Sequence, residues 1–189
     1  MPLSHNQHKD DRNETRNLPP RYCSLSFDHD VGLANLRNLT GMKRMKIVRP
    51  TKVNDRALAQ FAGMTELEVL ELAQTPVTSA GLVHLKPLKK LRQLNLFDAP
   101  VDDAGMKYLA ELPELRALNL GCTRVTAAGV PFLMGLTKLE ELDLSMPAVT
   151  REVLKSLEKL ENLERVGYCE RGPDGSFSGG ARPVQRWSL

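Results

Sequence analysis

The chain has 189 residues and a formal net charge of +3, from 26 basic and 23 acidic side chains. This length is enough for one domain with a sizeable core and does not require two. Aromatic residues make up only 5% of the sequence, so we expect an aliphatic core, and the near balance of charge excludes the strong basic excess typical of nucleic-acid binders.

The cysteines and the N-terminal sequence indicate a cytoplasmic protein. Cys23, Cys122 and Cys169 lie far apart, with no CxxC pair and no histidine at zinc spacing, which is typical of reduced thiols. Residues 1–20 contain no apolar segment of the kind found in a secretory signal, and no run approaches the roughly 20 apolar residues of a membrane span. We therefore expect no membrane partner, and a disordered N-terminal tail over residues 1–20.

The first predicted elements precede the regular part of the sequence. CSLSF, from Cys23, predicts a capping strand, and VGLANLRNLTGM, from Val31, matches the helical half of the later repeats. Met42, Met45 and Ile47 then form a weak first copy of an apolar skeleton that is repeated along the chain.

Four strong copies of this skeleton follow at a spacing of 24 residues. They are Leu67, Leu70, Leu72; Leu91, Leu94, Leu96; Leu115, Leu118, Leu120; and Leu139, Leu142, Leu144, with a weaker copy at Leu163, Val166, Tyr168. The last two leucines of each copy are two residues apart, so on an extended strand they share one face while the residue between them lies on the other. Each copy thus predicts a short strand with a leucine face and a variable face.

The second half of each repeat predicts a short helix or 3₁₀ turn, because Leu82, Leu85 and Leu88 are spaced by three. Its start is marked by residues that favour the N-cap position: Asn54, Thr78, Asp102, Thr126 and Thr150. One strand and one helix cannot bury these leucines alone, so neighbouring repeats must stack on a shared core. Small pairs such as Ala80-Gly81 leave room for that stacking.

The pattern L-x-x-L-x-L-x-x-T-x-V-T-x-A-G-L-x-x-L resembles a leucine-rich repeat over roughly residues 22 to 168. Its second half is similar to the cysteine-containing class of F-box-type substrate receptors and to short bacterial proteins built from such repeats. The resemblance implies an α/β solenoid, a curved right-handed horseshoe with short parallel strands on the concave face and short helices on the convex face. After the strand, Thr75, Ala99, Thr123 and Pro147 replace the usual asparagine or cysteine, so no ladder of those residues is expected there.

These patterns divide the chain into three parts. We predict a leucine-rich repeat domain over residues 21–169, with about five repeats of 24 residues and a partial N-terminal unit. Residues 170–189 are rich in Gly, Pro and Ser and predict a flexible tail, in which Trp187 either caps the last repeat or docks elsewhere.

The variable strand positions form the predicted binding site, because the resemblance places them on the concave face. The candidates are Arg44, Lys46, Glu71, Gln93, Asn95, Phe97, Asn119, Glu141, Asp143 and Arg165. They run from basic through amide to acidic, with a final arginine, which could orient a partner electrostatically. The alternative is that they are ordinary solvated charges.

Two aromatic features have competing interpretations. Phe97 is a candidate anchor because its lateral neighbours Ala73 and Gly121 are small, but its ring could instead cover neighbouring strand atoms. The row His84, Tyr108 and Phe132 could form a convex contact patch, although packing between repeats is the favoured interpretation.

The sequence contains no phosphate-binding loop, no zinc-protease motif and no nucleophile elbow, so we predict no catalytic residue, metal or cofactor. Asp98, Asp102 and Asp103 resemble a carboxylate cluster, but Asp102 is already assigned as an N-cap. We expect a monomeric, non-enzymatic module that binds a protein partner, with nucleic acid not expected.

Three alternatives remain open. A substrate-recognition adaptor of a ubiquitin-ligase-like complex is implied by the resemblance. An enzyme or enzyme activator could use concave charges such as Glu141 or Asp143. An anionic partner could bind the basic edge at Lys43, Arg44, Lys46 and Arg49.

Overall fold

The computed structural model describes residues 22–26, 39–48, 53–145, 151–171 and 177–183. Within these residues a single sheet holds the strands in sequence order. They are β1 (Tyr22–Ser26), β2 (Arg44–Val48), β3 (Val69–Glu71), β4 (Gln93–Asn95), β5 (Ala117–Asn119), β6 (Glu141–Leu144), β7 (Arg165–Arg171) and β8 (Phe177–Pro183). Strands β1 to β7 pair in parallel, and β8 pairs antiparallel with β7. The predicted capping strand at Cys23 is confirmed as β1.

The strand register follows the sequence repeat. Leu94 of β4 pairs with Leu70 of β3 and with Leu118 of β5, so equivalent residues lie side by side across the sheet. Met45 pairs with Leu70, so these partners are separated by one residue more than the 24 that separate later partners. The reason is that the first repeat is longer by one residue. Successive repeats therefore present the same positions to the same face.

One short helical segment follows each strand from β2 to β6, and α-helices alternate with 3₁₀ helices. The segments are α1 (Asp55–Leu58), which continues as a 3₁₀ turn over Ala59–Gly63, the 3₁₀ helix Gly81–Leu85, α2 (Asp103–Leu109), the 3₁₀ helix Val130–Gly135 and α3 (Arg151–Leu157). The structure thus has two kinds of repeat in alternation.

Four of the five predicted N-cap residues lie in the described part of the chain, and the side chain of each accepts a backbone N–H. Asn54 Oδ1 accepts the N–H of Ala57 at 3.2 Å, and Asp102 Oδ1 accepts that of Ala104 at 3.1 Å. Thr78 Oγ1 accepts the N–H of Ala80 at 3.3 Å, but the 3₁₀ helix starts only at Gly81, after a turn in which the Thr78 carbonyl oxygen accepts the Gly81 N–H. Thr126 Oγ1 likewise accepts the N–H of Ala128 at 3.2 Å in the same kind of turn, so both threonines bind a backbone N–H as predicted but lie before the residue at which the helix starts.

Hydrogen bonds at these turns join neighbouring repeats. Asp55 accepts the N–H of Thr78 at 2.7 Å through Oδ1 and its hydroxyl at 2.6 Å through Oδ2. Asp103 accepts the same two groups of Thr126 at the same distances. The repeat boundary between these two connections is different. There the Ser79 hydroxyl donates to the Asp102 carboxylate, and Ser79 Oγ accepts the Asp102 N–H. The connections therefore alternate in step with the helix type.

Glycine is required where these repeats stack. A Cβ added at Gly105 would lie 2.9 Å from Leu82 Cδ1, and one added at Gly81 would lie 2.9 Å from Asp55 Cγ. Both distances are shorter than real Cβ contacts, so the predicted role of these small residues in close stacking is confirmed.

The core lies between the strands and the helices. All twelve leucines of the four strong skeleton copies are at most 2% exposed, and Leu82, Leu85 and Leu88 are fully buried. These side chains form one cluster that extends from Met45 to Val166. The predicted aliphatic core, shared between repeats, is confirmed.

The C-terminal segment differs from its prediction. A flexible tail was expected from residue 170, but β7 extends to Arg171 and β8 continues the sheet from Phe177 to Pro183. The sequence FSGGARP lacks the β-branched residues and the alternation typical of strands. It forms a strand through backbone pairing with the edge of β7. The predicted tail over residues 1–20, the half-repeat at Val31, Thr150 and Trp187 lie outside the described residues.

Candidate functional site

The sheet face turned away from the helices carries an open groove of about 350 Å³, and we call this face the concave face. Strands β3 to β7 contribute to its lining, and the residues that face outward are Val69, Glu71, Gln93, Asn95, Ala117, Asn119, Glu141, Asp143, Arg165 and Gly167. Because the strands pair in register, these residues form two rows across the sheet. One row runs from Val69 to Arg165 and the other from Glu71 to Gly167.

Seven of the ten predicted site residues line this groove, so the structure brings most of them together. Arg44 and Lys46, on β2, and Phe97, just after β4, lie outside the lining. Sequence reasoning did not select Val69, Ala117 or Gly167, although the period-two alternation places them on the same face. Small or apolar side chains carry no chemistry that would distinguish them in a sequence.

Three side chains of the second row hold the backbone that leaves each strand. Asn95 Oδ1 accepts the N–H of Phe97 at 3.0 Å, and Asn119 Oδ1 accepts that of Gly121 at 2.8 Å. Asp143 Oδ1 accepts both the N–H of Ser145, at 2.8 Å, and its hydroxyl. Such bonds from Asn or Asp to the backbone two residues on are typical of Asx turns. These candidates therefore also have a structural role that the sequence analysis did not foresee.

The residue three positions after the outward-facing Glu71, Asn95 or Asn119 has left-handed backbone geometry. The φ angles are 59° at Gln74, 56° at Asp98 and 57° at Cys122, a conformation that few residues other than glycine adopt readily. The N–H of Gln74 donates to the Phe97 carbonyl oxygen in the next repeat at 2.7 Å, and those of Asp98 and Cys122 make the equivalent bonds. The strain is thus offset by hydrogen bonds between repeats.

The three carboxylates that resemble a cluster in the sequence have separate positions and roles. Asp98 lies at the left-handed position after a strand, Asp102 caps α2, and Asp103 bonds to Thr126. In the described part of the chain, no group of three or more His, Cys, Asp or Glu residues is arranged to hold a metal ion.

Ion pairs between neighbouring repeats compensate most of the concave charges. Lys46 Nζ lies 3.6 Å from Glu71 Oε2, and Arg165 pairs with Glu141. Surface pairs of this kind contribute little to stability. The predicted gradient from basic to acidic is therefore largely neutralised strand by strand, which agrees with the alternative that these are ordinary solvated charges.

Further pairs between repeats lie outside the groove. They are Lys43 with Glu68, Lys90 with Glu66, Lys86 with Glu111, Lys138 with Glu114 and Arg116 with Glu140. The hydrogen bond from Lys43 lowers the pKa of Glu68, and that from Lys138 lowers the pKa of Glu114.

Phe97 is half-buried beside the groove. A Cβ added to Gly121 would lie 3.1 Å from Phe97 Cδ2, so the ring lies over this glycine in the next repeat. This position favours the interpretation that the ring covers neighbouring strand atoms, and its role as an anchor stays a prediction.

The convex aromatic row does not form a uniform patch. His84 and Tyr108 are half-buried, and Tyr108 packs on the core with Lys86 of the preceding repeat 5.3 Å from its ring centre. Phe132, in contrast, is 49% exposed. The geometry at Tyr108 is that of packing between repeats.

The structure contains, in its described residues, no helix long and apolar enough to cross a membrane. A family model described as "Leucine Rich repeat" matches residues 88–110, which include all of β4 and α2. The search of curated proteins found no match to the chain.

Among solved structures, an internalin from Listeria monocytogenes is similar, with 16% sequence identity and a TM-score of 0.34. The match covers 69% of this chain, which spans 56% of the length of that internalin. The repeat that the family model matches is continued in register by β3, β5 and β6 on either side. The chain therefore contains a leucine-rich repeat at residues 88–110, and its described residues have an α/β solenoid fold.

Proposed function

We propose that the protein is a non-enzymatic interaction module that binds a partner protein on its concave face, as a monomer in the cytoplasm. The observation that carries this proposal is the groove, whose outward side chains belong to five consecutive strands and take no part in the leucine core. Its open form and its mixture of apolar, amide and charged groups are typical of protein–protein contact surfaces. Enclosed, mostly apolar cavities are more typical of small-molecule sites.

Structural partners of the concave carboxylates favour binding over catalysis. Glu141 is paired with Arg165, and Asp143 accepts two hydrogen bonds from Ser145. A general base must be free to reach a substrate proton, and the pair with Arg165 holds Glu141 to its own sheet, while Ser145 occupies only Oδ1 of Asp143. An adaptor of a ubiquitin-ligase-like complex would bind its substrate on the same face, so it is addressed by the same experiment.

Filling the groove tests the proposal directly. Ala117 lies at mid-groove, between Gln93 and Glu141 in the register, and Ala117→Trp places a large side chain there without altering the leucine core. Ala128 is an exposed alanine outside the groove, so Ala128→Trp is a matched control. Wild type and both variants would be used for affinity capture with mass spectrometry, and each captured protein would be purified and titrated calorimetrically.

We expect Ala117→Trp to weaken binding of the purified partner by at least about tenfold, since the loss of a central contact typically costs more than 1 kcal/mol of binding free energy. Ala128→Trp should bind like wild type, and circular dichroism should report the same fold for all three proteins. Equal binding by both tryptophan variants would place the partner on another surface.

Phe97→Ala separates the two interpretations of this residue. An anchor predicts weaker binding with a nearly unchanged thermal midpoint. A ring that covers Gly121 predicts a lower midpoint with unchanged affinity.

A further inference from the structure

We infer that the concave groove takes an extended polypeptide segment with a lysine or arginine side chain, and that this cation binds at Asp143. The inference rests on the proposed function and names the chemistry of the partner. It follows from the charges of the groove, from the space beside Asp143 and from the orientation of two asparagine side chains.

The charges of the groove leave one carboxylate without compensation. Three acidic residues and one basic residue line it. Glu141 is neutralised by Arg165, and Glu71 by Lys46 from just outside the lining. Asp143 has no basic partner within the described residues. The groove is therefore locally negative in a chain whose formal net charge is +3, which favours a positively charged group in the partner.

Space for that group lies beside the carboxylate. The register partner of Asp143 on β7 is Gly167, which has no side chain to fill the row. A Cβ added at Gly167 would lie 3.0 Å from both Cγ and Oδ1 of Asp143, so the carboxylate leans over the glycine. Oδ1 receives the two donors of Ser145, whereas Oδ2 has no donor among the described residues. An ammonium or guanidinium group can approach Oδ2 from the groove.

Two asparagines in the same row are oriented as donors. The Oδ1 atoms of Asn95 and Asn119 each accept a backbone N–H, and this bond fixes which end of the amide is oxygen. Their Nδ2 groups have no acceptor in the part of the chain that the structure describes, and both residues line the groove. Carbonyl oxygens are the complementary groups for these donors.

The order of groups matches an extended chain better than a small ion. Donors on β4 and β5 and an acceptor on β6 follow one another at the strand spacing of about 4.8 Å. Across five strands the groove spans roughly 19 Å, the length of about six extended residues. A metal ion is a poor fit, because one carboxylate supplies far fewer than the six to eight oxygen ligands that calcium takes.

A phage-displayed library of random dodecapeptides provides a defined probe. It would be selected in parallel on wild type, Asp143→Asn and Ala117→Trp. Asparagine already occupies the equivalent positions 95 and 119, and its Oδ1 can still accept the Ser145 N–H. Asp143→Asn therefore removes the charge and keeps the turn.

We expect peptides recovered on wild type to contain lysine and arginine at about twice their frequency in the starting library. For the tightest peptide, glutamine in place of the enriched basic residue should weaken binding to wild type by about tenfold and binding to Asp143→Asn by less than about twofold. Ala117→Trp should recover no enriched peptides. Circular dichroism of the three proteins confirms that their folds match.

The failures of the two proposals are distinguishable. Recovered peptides without a basic excess, or a glutamine effect equal on wild type and Asp143→Asn, overturn the inference about Asp143. If Ala117→Trp nevertheless fails to bind the peptides that wild type recovers, the concave face remains the binding surface. Peptides that bind Ala117→Trp as well as wild type, or no enriched peptide on wild type at all, contradict the concave groove as a binding site and the inference with it.

Discussion

Replacing Asp55 by alanine tests the hydrogen bonds that join the first two repeats. The carboxylate accepts the Thr78 N–H at 2.7 Å and the Thr78 hydroxyl at 2.6 Å. Hydrogen bonds to a charged group contribute about 1.5–3 kcal/mol each, and water replaces part of that where it has access. Because Asp55 and Thr78 are half-buried, we expect Asp55→Ala to lower the free energy of unfolding by about 2–3 kcal/mol.

Asp103 supplies a matched comparison within the same molecule. It bonds to Thr126 with identical distances and also lies in the first turn of an α-helix, but its partner is exposed to solvent. Water can replace the lost acceptor there, so Asp103→Ala should cost only about 1 kcal/mol. Helix-dipole effects are similar at the two sites and largely cancel in the comparison.

Urea unfolding followed by far-ultraviolet circular dichroism measures both losses. Combining Asp55→Ala with Thr78→Val in a double-mutant cycle isolates the contribution of the Thr78 hydroxyl. If the two alanine variants cost the same within about 0.5 kcal/mol, or if Asp103→Ala costs more, then solvent access does not set the strength of these connections and the reasoning is refuted.

Three further predictions follow from single contacts. Gln74→Gly should be about 1 kcal/mol more stable to urea than Gln74→Ala, since the φ of 59° is unfavourable for any residue with a Cβ; a less stable glycine variant would contradict this. Lys43 holds the pKa of Glu68 below its ordinary 4.5, so this stabilisation is present above that pH and is lost as the pH falls through the lowered pKa. The advantage of wild type over Glu68→Gln in unfolding free energy should therefore shrink between about pH 6 and about pH 3, and a constant difference would exclude the pair as its cause. Asp143→Asn should change stability by less than about 0.5 kcal/mol and Asp143→Ala should cost about 1 kcal/mol, because only alanine leaves the Ser145 N–H without its acceptor; equal losses would show that charge matters here rather than the turn.

The repeat made most of the fold predictable. Leucines two apart at a constant spacing require a strand with one buried face, and burial of Leu94 against both neighbouring repeats requires parallel strands in register. The same alternation selects which side chains face outward, which is why most of the predicted site lines the groove. The strand β8 escaped prediction because it depends on pairing with an existing edge and not on an apolar pattern of its own.

The bonds made by the outward side chains were harder to predict. The sequence presents Asn95 as a free amide, and only the turn after β4 brings the Phe97 N–H within reach of its oxygen. The ion pairs do leave a signal, since opposite charges such as Glu66 and Lys90 are separated by one repeat length of 24 residues. Searching the sequence for opposite charges at that separation, and at 25 residues across the longer first repeat, would have revealed the two pairs on the concave face.

The alternating connections between repeats also constrain how such a chain can grow or shrink during evolution. Loss of one 24-residue unit after Val77 would bring Asp55 against Asp102, carboxylate against carboxylate, in place of Thr78. Loss of two units would bring it against Thr126, which carries the same donors as Thr78. The unit that can be duplicated or deleted with its connections intact is therefore a pair of repeats, one with an α-helix and one with a 3₁₀ helix.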